Sequence, residues 1–292
     1  MAGGTSGSLP KSSGDTVYGA DFNAVRTKVN GVLGDGSGYS STYGYGQSLA
    51  SSAVSVSAKI NSTQWTTLVA DVSTAYTHQN GVAYTAVNPS VGVSVSAANI
   101  NTLSSAVDTL LTNRLSVNAG QITGPTQIAQ PLRGSAWGVG GTGIDSTTNI
   151  ALGGSTRNAQ YFFNQGGTLR INGYYAYGSA TSQNNQWNQE MSELTKTIDY
   201  TVYNSIVASG NSYVEIYSNA TFSGNYTANY IKIYGKTADS GASIDIRILY
   251  QDDHPSTWQD GVDGTIGATF YRFTASGAFT GIQPTASVTE AF

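Results

Sequence analysis

Cysteine is absent from this 292-residue chain. That excludes disulfides and thiolate metal sites together. Histidine occurs only 2 times, and Asp, Glu, Lys and Arg together make up 10% of the residues. An average soluble domain carries about 25%. Titrating side chains are the equipment of acid–base and nucleophilic catalysis, so their scarcity argues against an enzyme. Clusters of positive charge are missing as well. The 13 Lys and Arg are scattered, the formal net charge is −4 and the pI is near 5.0. A nucleic-acid partner needs a basic face, so none is expected. No window approaches the roughly 18 consecutive apolar residues of a membrane span, and no membrane partner is expected. Met1 to Gly7 is Gly/Ser-rich and lacks the basic and apolar regions of a signal peptide, so the expectation is synthesis in a cytoplasm without export. No catalytic residue, cofactor or metal ligand is assigned.

What fills the chain instead is Ser, Thr, Asn and Gln, with 35 Gly and 19 Tyr. A neutral surface of this kind hydrogen-bonds widely and repels its own copies weakly. It suits a protein whose partners are other proteins packed at high density. The apolar fraction is 39%, of which aromatics supply 11% of the chain. Each ring buries a large area, so a core is within reach. The length fits one large domain or two ordinary ones.

Hydrophobic spacing divides the chain. Phe22, Val25, Val29 and Val32 predict a helix from about Thr16 to Leu33, with Asp15 or Thr16 as its cap and Gly34 as its stop. Trp65, Leu68, Val72 and Tyr76 predict a second from Asn61 or Ser62 to Gln79, followed by Gly81. Leu103, Ala106, Val107 and Leu110 predict a third starting near Asn99 or Asn101, with Arg114 in its last turn. Val54–Ala58 before the second helix and Val93–Ala97 before the third form an imperfect repeat. Each unit reads as an extended arm feeding a capped helix that must pack on a neighbour. Further on, Gln160–Phe163 and Thr168–Asn172 read as a hairpin about Asn164–Gly167. Tyr213–Tyr217, Tyr230–Tyr234 and Ser243–Tyr250 alternate, with Val214/Ile216, Ile231/Ile233 and Ile244/Ile246/Ile248 facing inward. Ala268–Thr274 is another strand. Trp187, Met191, Leu194, Ile198, Val202 and Ile206 predict one long helix ended by Gly210.

The expected class is therefore α+β. Residues 1–14 form a flexible tail, 15–118 a helical repeat region for assembly, and 119–158 an extended Gly/Pro-containing linker. Residues 159–292 form an antiparallel β-sandwich or jelly-roll-like domain crossed by one helix at about 187–209.

The motifs that could carry chemistry fail their context tests. Gly138–Gly143 matches G-x-G-x-x-G, but a Gly/Ser/Thr loop follows where a dinucleotide site needs a helix. Ser8–Lys11 matches S-x-x-K, with Pro10 inside it and a tail around it. Asp252, Asp253, His254, Asp260 and Asp263 could hold a hard cation, but their spacing fits no EF-hand and the Asp-Gly steps read as turns. His78 falls at a predicted helix end, where a histidine aids capping. Glu190 and Glu193, one turn apart, read as a solvated helix face beside the apolar stripe. Asn61, Asn219 and Asn225 match the glycosylation acceptor, a match that an Asn/Ser/Thr-rich chain produces by chance. Tyrosine is the stronger hint. Tyr39, Tyr43 and Tyr45 share one glycine-rich loop and Tyr174, Tyr175 and Tyr177 another. Rings beside Gly and Ser are contact chemistry for protein or glycan.

Three stretches resemble structural proteins of tailed-bacteriophage virions. They are 31–47 (GVLGDGSGYSSTYGYGQ), 60–81 (INSTQWTTLVADVSTAYTHQNG) and 157–171 (RNAQYFFNQGGTLRI). Similar segments occur in tail, baseplate, neck and fibre components. The resemblance implies a non-enzymatic building block in many copies under rotational symmetry, located in the phage particle. Its implied partners are copies of itself and other virion proteins. No catalytic residue comes with it. The alternative expectation is a receptor- or glycan-binding fibre protein using exposed tyrosines of the β-rich domain against a host-surface glycan.

Overall fold

A computed structural model of the chain describes residues 9–36, 44–85, 88–89, 93–139, 141–253, 261–279, 281–290 and 292. It is an α+β fold in two compact units. The first takes the chain up to Ile122 and adds 164–166 and 276–279; the second takes the remainder.

The first unit is built on three helices, α1 (Gly19–Val32), α2 (Ser62–Asn80) and α3 (Ala97–Thr112). Apolar residues at helical spacing drive them together. Phe22, Val25, Val29 and Val32 of α1, Trp65, Leu68 and Val72 of α2, and Ile100, Leu103, Val107 and Leu110 of α3 are all buried. The helix starts are set by side chains that satisfy the free N–H groups of a first turn. At α2, Asn61 accepts from Gln64 N and Gln64 accepts from Asn61 N, at 2.8 and 3.0 Å. At α3, Ser96 and Asn99 exchange the same pair of bonds. Gly81 closes α2 with φ +75°, a conformation that costs a residue with a Cβ. Three boundaries differ from the spacing argument. The helix α1 begins at Gly19, because the Asp21 carboxylate accepts from Tyr18 N at 2.9 Å. Asp15, the expected cap, instead accepts from Ser12 N. The helix α3 starts at Ala97 and stops before Arg114.

The expected flexible tail is also corrected over its described part. Lys11 N donates to Asn101 Oδ1 and Asn101 Nδ2 donates to the Lys11 carbonyl, both at 2.8 Å. Lys11 Nζ lies 3.2 Å from the fully buried Asp21 carboxylate.

The second unit contains two five-stranded antiparallel sheets. One runs β1 (Ile122–Ala129), β9 (Thr265–Ala275), β4 (Thr168–Ala176), β5 (Thr195–Ile198), with β2 (Leu132–Arg133) also on β9. The other runs β10 (Thr285–Glu290), β3 (Gly143–Ala151), β8 (Ser243–Gln251), β7 (Tyr230–Ala238), β6 (Val214–Asn219). One core takes residues from both sheets and from α4 (Thr156–Asn164), α5 (Ser182–Glu193) and α6 (Tyr200–Ala208). Ile231, Ile233, Ile244, Ile246 and Ile248 are completely buried, as the period-2 pattern requires, and Val214 and Ile216 pack against that core.

Three expectations are overturned here. The 119–158 stretch is no linker, since β1, β2 and β3 are laid into the sheets. Gln160–Phe163 lies in α4, so it makes no hairpin with β4, whose partners are β9 and β5. The single helix at 187–209 is two helices with β5 between them. Asp199 accepts from Val202 N at 3.0 Å and starts α6 afresh. Leu194 and Ile198 keep their places in the core from an extended chain.

Candidate functional site

In the first unit, side chains far apart in sequence meet at one polar node. Tyr45 is buried with its hydroxyl donating to the Arg114 carbonyl at 2.7 Å and accepting from Gln79 Nε2 at 2.8 Å. Burial pushes its phenol well above the ordinary tyrosine range. Gln165 Nε2 donates to the Tyr45 carbonyl at 2.6 Å, and Asn164 Nδ2 donates to the Gly44 carbonyl at 3.1 Å. His78, 1% exposed, sets its Nε2 3.0 Å from the Gln165 carbonyl. That carbonyl can only accept, so Nε2 carries the proton and Nδ1 keeps the lone pair. Burial lowers the His78 pKa from 6.5 to about 4, so the ring is neutral at pH 7. The Phe279 ring stacks on it at 3.9 Å, and Tyr45 meets it edge-on at 5.1 Å. Beside the node is a hollow of about 390 Å³, partly lined by His78, Gln121, Ser276 and Phe279.

The stretches 31–47, 60–81 and 157–171 meet at this node. Gly44 and Tyr45 come from 31–47, His78 and Gln79 from 60–81, and Asn164 and Gln165 from 157–171. Two sequence readings change. His78 is a core group and no exposed helix cap, because its ring is sandwiched and hydrogen-bonded. Tyr45 is equally a core group and no contact residue, because its hydroxyl finds two partners indoors. Tyr39 and Tyr43 lie outside the described residues.

The buried acids are all engaged by donors of the framework. Asp71 accepts from Ala50 N, Ser51 N and Ser51 Oγ at 2.8, 2.9 and 2.6 Å. Glu190 is buried and accepts from Asn219 Nδ2 and Thr221 Oγ1, both at 2.6 Å, so the expected solvated face holds for Glu193 alone. Asp252 is fully buried and accepts from Gln183 Nε2 at 2.5 Å. Asp253 is exposed. Asp263 accepts from Ser179 Oγ at 2.5 Å and from Asn184, and these hydrogen bonds hold its carboxyl below the usual range. His254 and Asp260 lie outside the described residues. Among the described residues, no three His, Cys, Asp or Glu stand together as metal ligands.

The remaining motifs lose their chemical context. Gly143 opens strand β3, so the glycine motif leads into a sheet and presents no helix N-terminus; Gly140 itself lies outside the described residues. Ser8 also lies outside them, and Lys11 of the S-x-x-K pattern is ion-paired to Asp21. Among the described residues no helix is long and apolar enough to cross a membrane.

The second unit presents a different surface, on the first sheet. Antiparallel register places Thr197, Arg170 and Tyr271 in one row across β5, β4 and β9, and Thr195, Asn172 and Thr269 in the next. Tyr174 and Phe273 stand on the same side at i+2 steps from these rows. The opposite side carries Leu169, Ile171 and Phe270 into the core. The Arg170 guanidinium lies 4.7 Å over the Phe273 ring and 5.5 Å over that of Tyr271. Its Nε is buried without a hydrogen-bond partner, as is Asn172 Oδ1. No carboxylate among the described residues pairs with it. Of the second tyrosine loop, Tyr177 is 39% exposed, while the Tyr175 hydroxyl lies 2.6 Å from the Asp263 carbonyl and 2.8 Å from Asn184 Oδ1. Sequence reasoning missed Arg170 because the signal is a cross-strand register, invisible before β4 and β9 are paired.

Comparison with protein families, with curated proteins and with solved structures finds no match.

Proposed function

We propose that this chain is a non-enzymatic structural protein of a tailed-bacteriophage virion. In this reading it is a tail, baseplate, neck or fibre component that forms a symmetric homo-oligomer and docks onto neighbouring virion subunits. One observation carries the reading: the three phage-like stretches converge on the Tyr45–His78–Gln165 node. The resemblance therefore covers one interlocked piece of framework. The disposition of charge supports it too. Asp21, Asp71, Glu190 and Asp252 are each committed to structural donors.

Size-exclusion chromatography with light scattering tests this on the full chain. The expected result is a single species at a small whole-number multiple of 30.4 kDa. A stable monomer at high concentration overturns the self-assembly on which the reading depends.

A second reading, binding of a host-surface glycan by the β-rich unit, is favoured by the Arg170 face, with its rings, hydroxyls and unpaired cation on one sheet surface. A glycan array decides it, and a blank array removes it.

A further inference from the structure

We infer that the Arg170 face binds an acidic saccharide, one whose sugar ring carries a carboxylate. This rests on the glycan reading and narrows it to a chemical class and a set of residues.

The argument starts from what the face lacks. A guanidinium in a sheet ordinarily finds a carboxylate across the strands. Arg170 has Thr197 and Tyr271 as its cross-strand neighbours and meets no acid among the described residues. It lies instead over the rings of Phe273 and Tyr271. A guanidinium over rings keeps its fork of N–H donors for a planar, two-oxygen acceptor. Its terminal nitrogens, unlike Nε, are not buried, and they are the donors such an acceptor would meet.

The neighbouring row needs the opposite chemistry. Asn172 Oδ1 is a buried acceptor without a donor, two residues along the same side of β4. Thr195 beside it on β5 is exposed and offers a hydroxyl. Tyr174, a further two residues on, is half-buried and adds a flat ring. The ligand that answers all of these carries a carboxylate for Arg170, a hydroxyl to bond the Asn172 amide and Thr195, and a flat C–H face for the tyrosines. A uronic or similar sugar acid has these three features on one ring. An Asp or Glu side chain from another protein supplies the carboxylate but neither the hydroxyl nor the flat face.

The test is calorimetric titration of the full-length protein with oligoglucuronate and with the same oligosaccharide after carboxyl reduction. The expected result is saturable binding of the acidic form, about tenfold or more tighter than the reduced one, and weaker at high salt. Arg170→Gln should abolish the preference. Arg170→Lys, which keeps the charge and loses the planar fork, should weaken binding by about tenfold. Asn172→Ala should weaken both forms. Thermal unfolding of each variant checks that the sheet is intact; if Arg170→Gln unfolds, the Lys and Asn172 variants decide. Equal binding of acidic and neutral forms, unchanged by Arg170→Lys, overturns the acidic-sugar inference and leaves the glycan reading standing. No binding of either form, with a blank glycan array, overturns both. An oligomer that dissociates on Arg170→Lys, with no saccharide bound, shows the face to be a contact between copies and overturns the inference.

Discussion

Phe279 lies almost flat on His78, with ring centroids 3.9 Å apart and planes 19° from parallel. The histidine's other side of the ledger is the Gln165 carbonyl, which fixes the proton on Nε2. An aromatic lid and a carbonyl acceptor stabilise the neutral ring, and a second proton, on Nδ1, would find neither solvent nor a partner.

The His78 contribution to stability therefore depends on pH. Its pKa is about 4 in the folded chain against 6.5 as the ordinary value. Between these values the unfolded chain holds more protons than the folded one, so stability rises with pH. The contribution is complete above about pH 6.5 and falls away as pH drops towards 4. It amounts to at most about 3 kcal/mol. Denaturant melts from pH 7.5 to 4.5 should show the slope, and His78→Gln should flatten it. Parallel curves for the two proteins would refute the assignment.

Asp71→Ala should destabilise the first unit strongly. It removes the acceptor for Ala50 N, Ser51 N and Ser51 Oγ in one step. Leaving such donors unmatched costs about 1–3 kcal/mol each, less what water recovers. Asp71→Asn keeps one oxygen and should lose less. Urea midpoints of the three proteins give the ranking.

Gln165→Ala should cost about 1–2 kcal/mol, because the Tyr45 carbonyl loses its 2.6 Å donor within the node. The His78 bond uses the Gln165 backbone and should survive. The amide proton of residue 165 and the His78 ring signals, followed by NMR, would show whether the node stays closed.

Trp187→Ala should cost roughly 3–5 kcal/mol. The ring is completely buried and touches Trp137, Phe222 and Tyr250 in the core of the second unit. Calorimetry should show a lowered transition with the helices of the first unit unaffected in their far-ultraviolet signal. A change below 1 kcal/mol would mean the core relaxes around the gap far more than its packing allows.

Local pattern carried much of this architecture. Trp65, Leu68 and Val72, bounded by Asn61 and Gly81, define α2 in sequence and in structure. The isoleucine alternation of β7 and β8 is equally local. The misreadings have physical causes. Leu194 and Ile198 continue the helical spacing of α5 by coincidence, since the extended backbone at Leu194 and strand β5 also turn them into the core. Thr195, Thr197 and the cap at Asp199 were the local marks of the break. The strand β3 was hidden because Ser146, Thr147 and Thr148 occupy buried positions where an apolar pattern would be sought. Tyr45, His78 and Gln165 meet only through tertiary folding, and no periodicity reports that. The Arg170 face is likewise a product of pairing, assembled from β4, β5 and β9.

The first unit draws its last pieces, 164–166 and 276–279, from far along the chain. A ribosome delivers residues in order, so α1, α2 and α3 emerge long before Phe279 exists to cover His78. The early helices must wait in an unfinished state, with a bare imidazole and an unfilled seat for one aromatic ring. Completion is thereby timed to the arrival of residue 279, and a product terminated before it lacks the ring that covers His78.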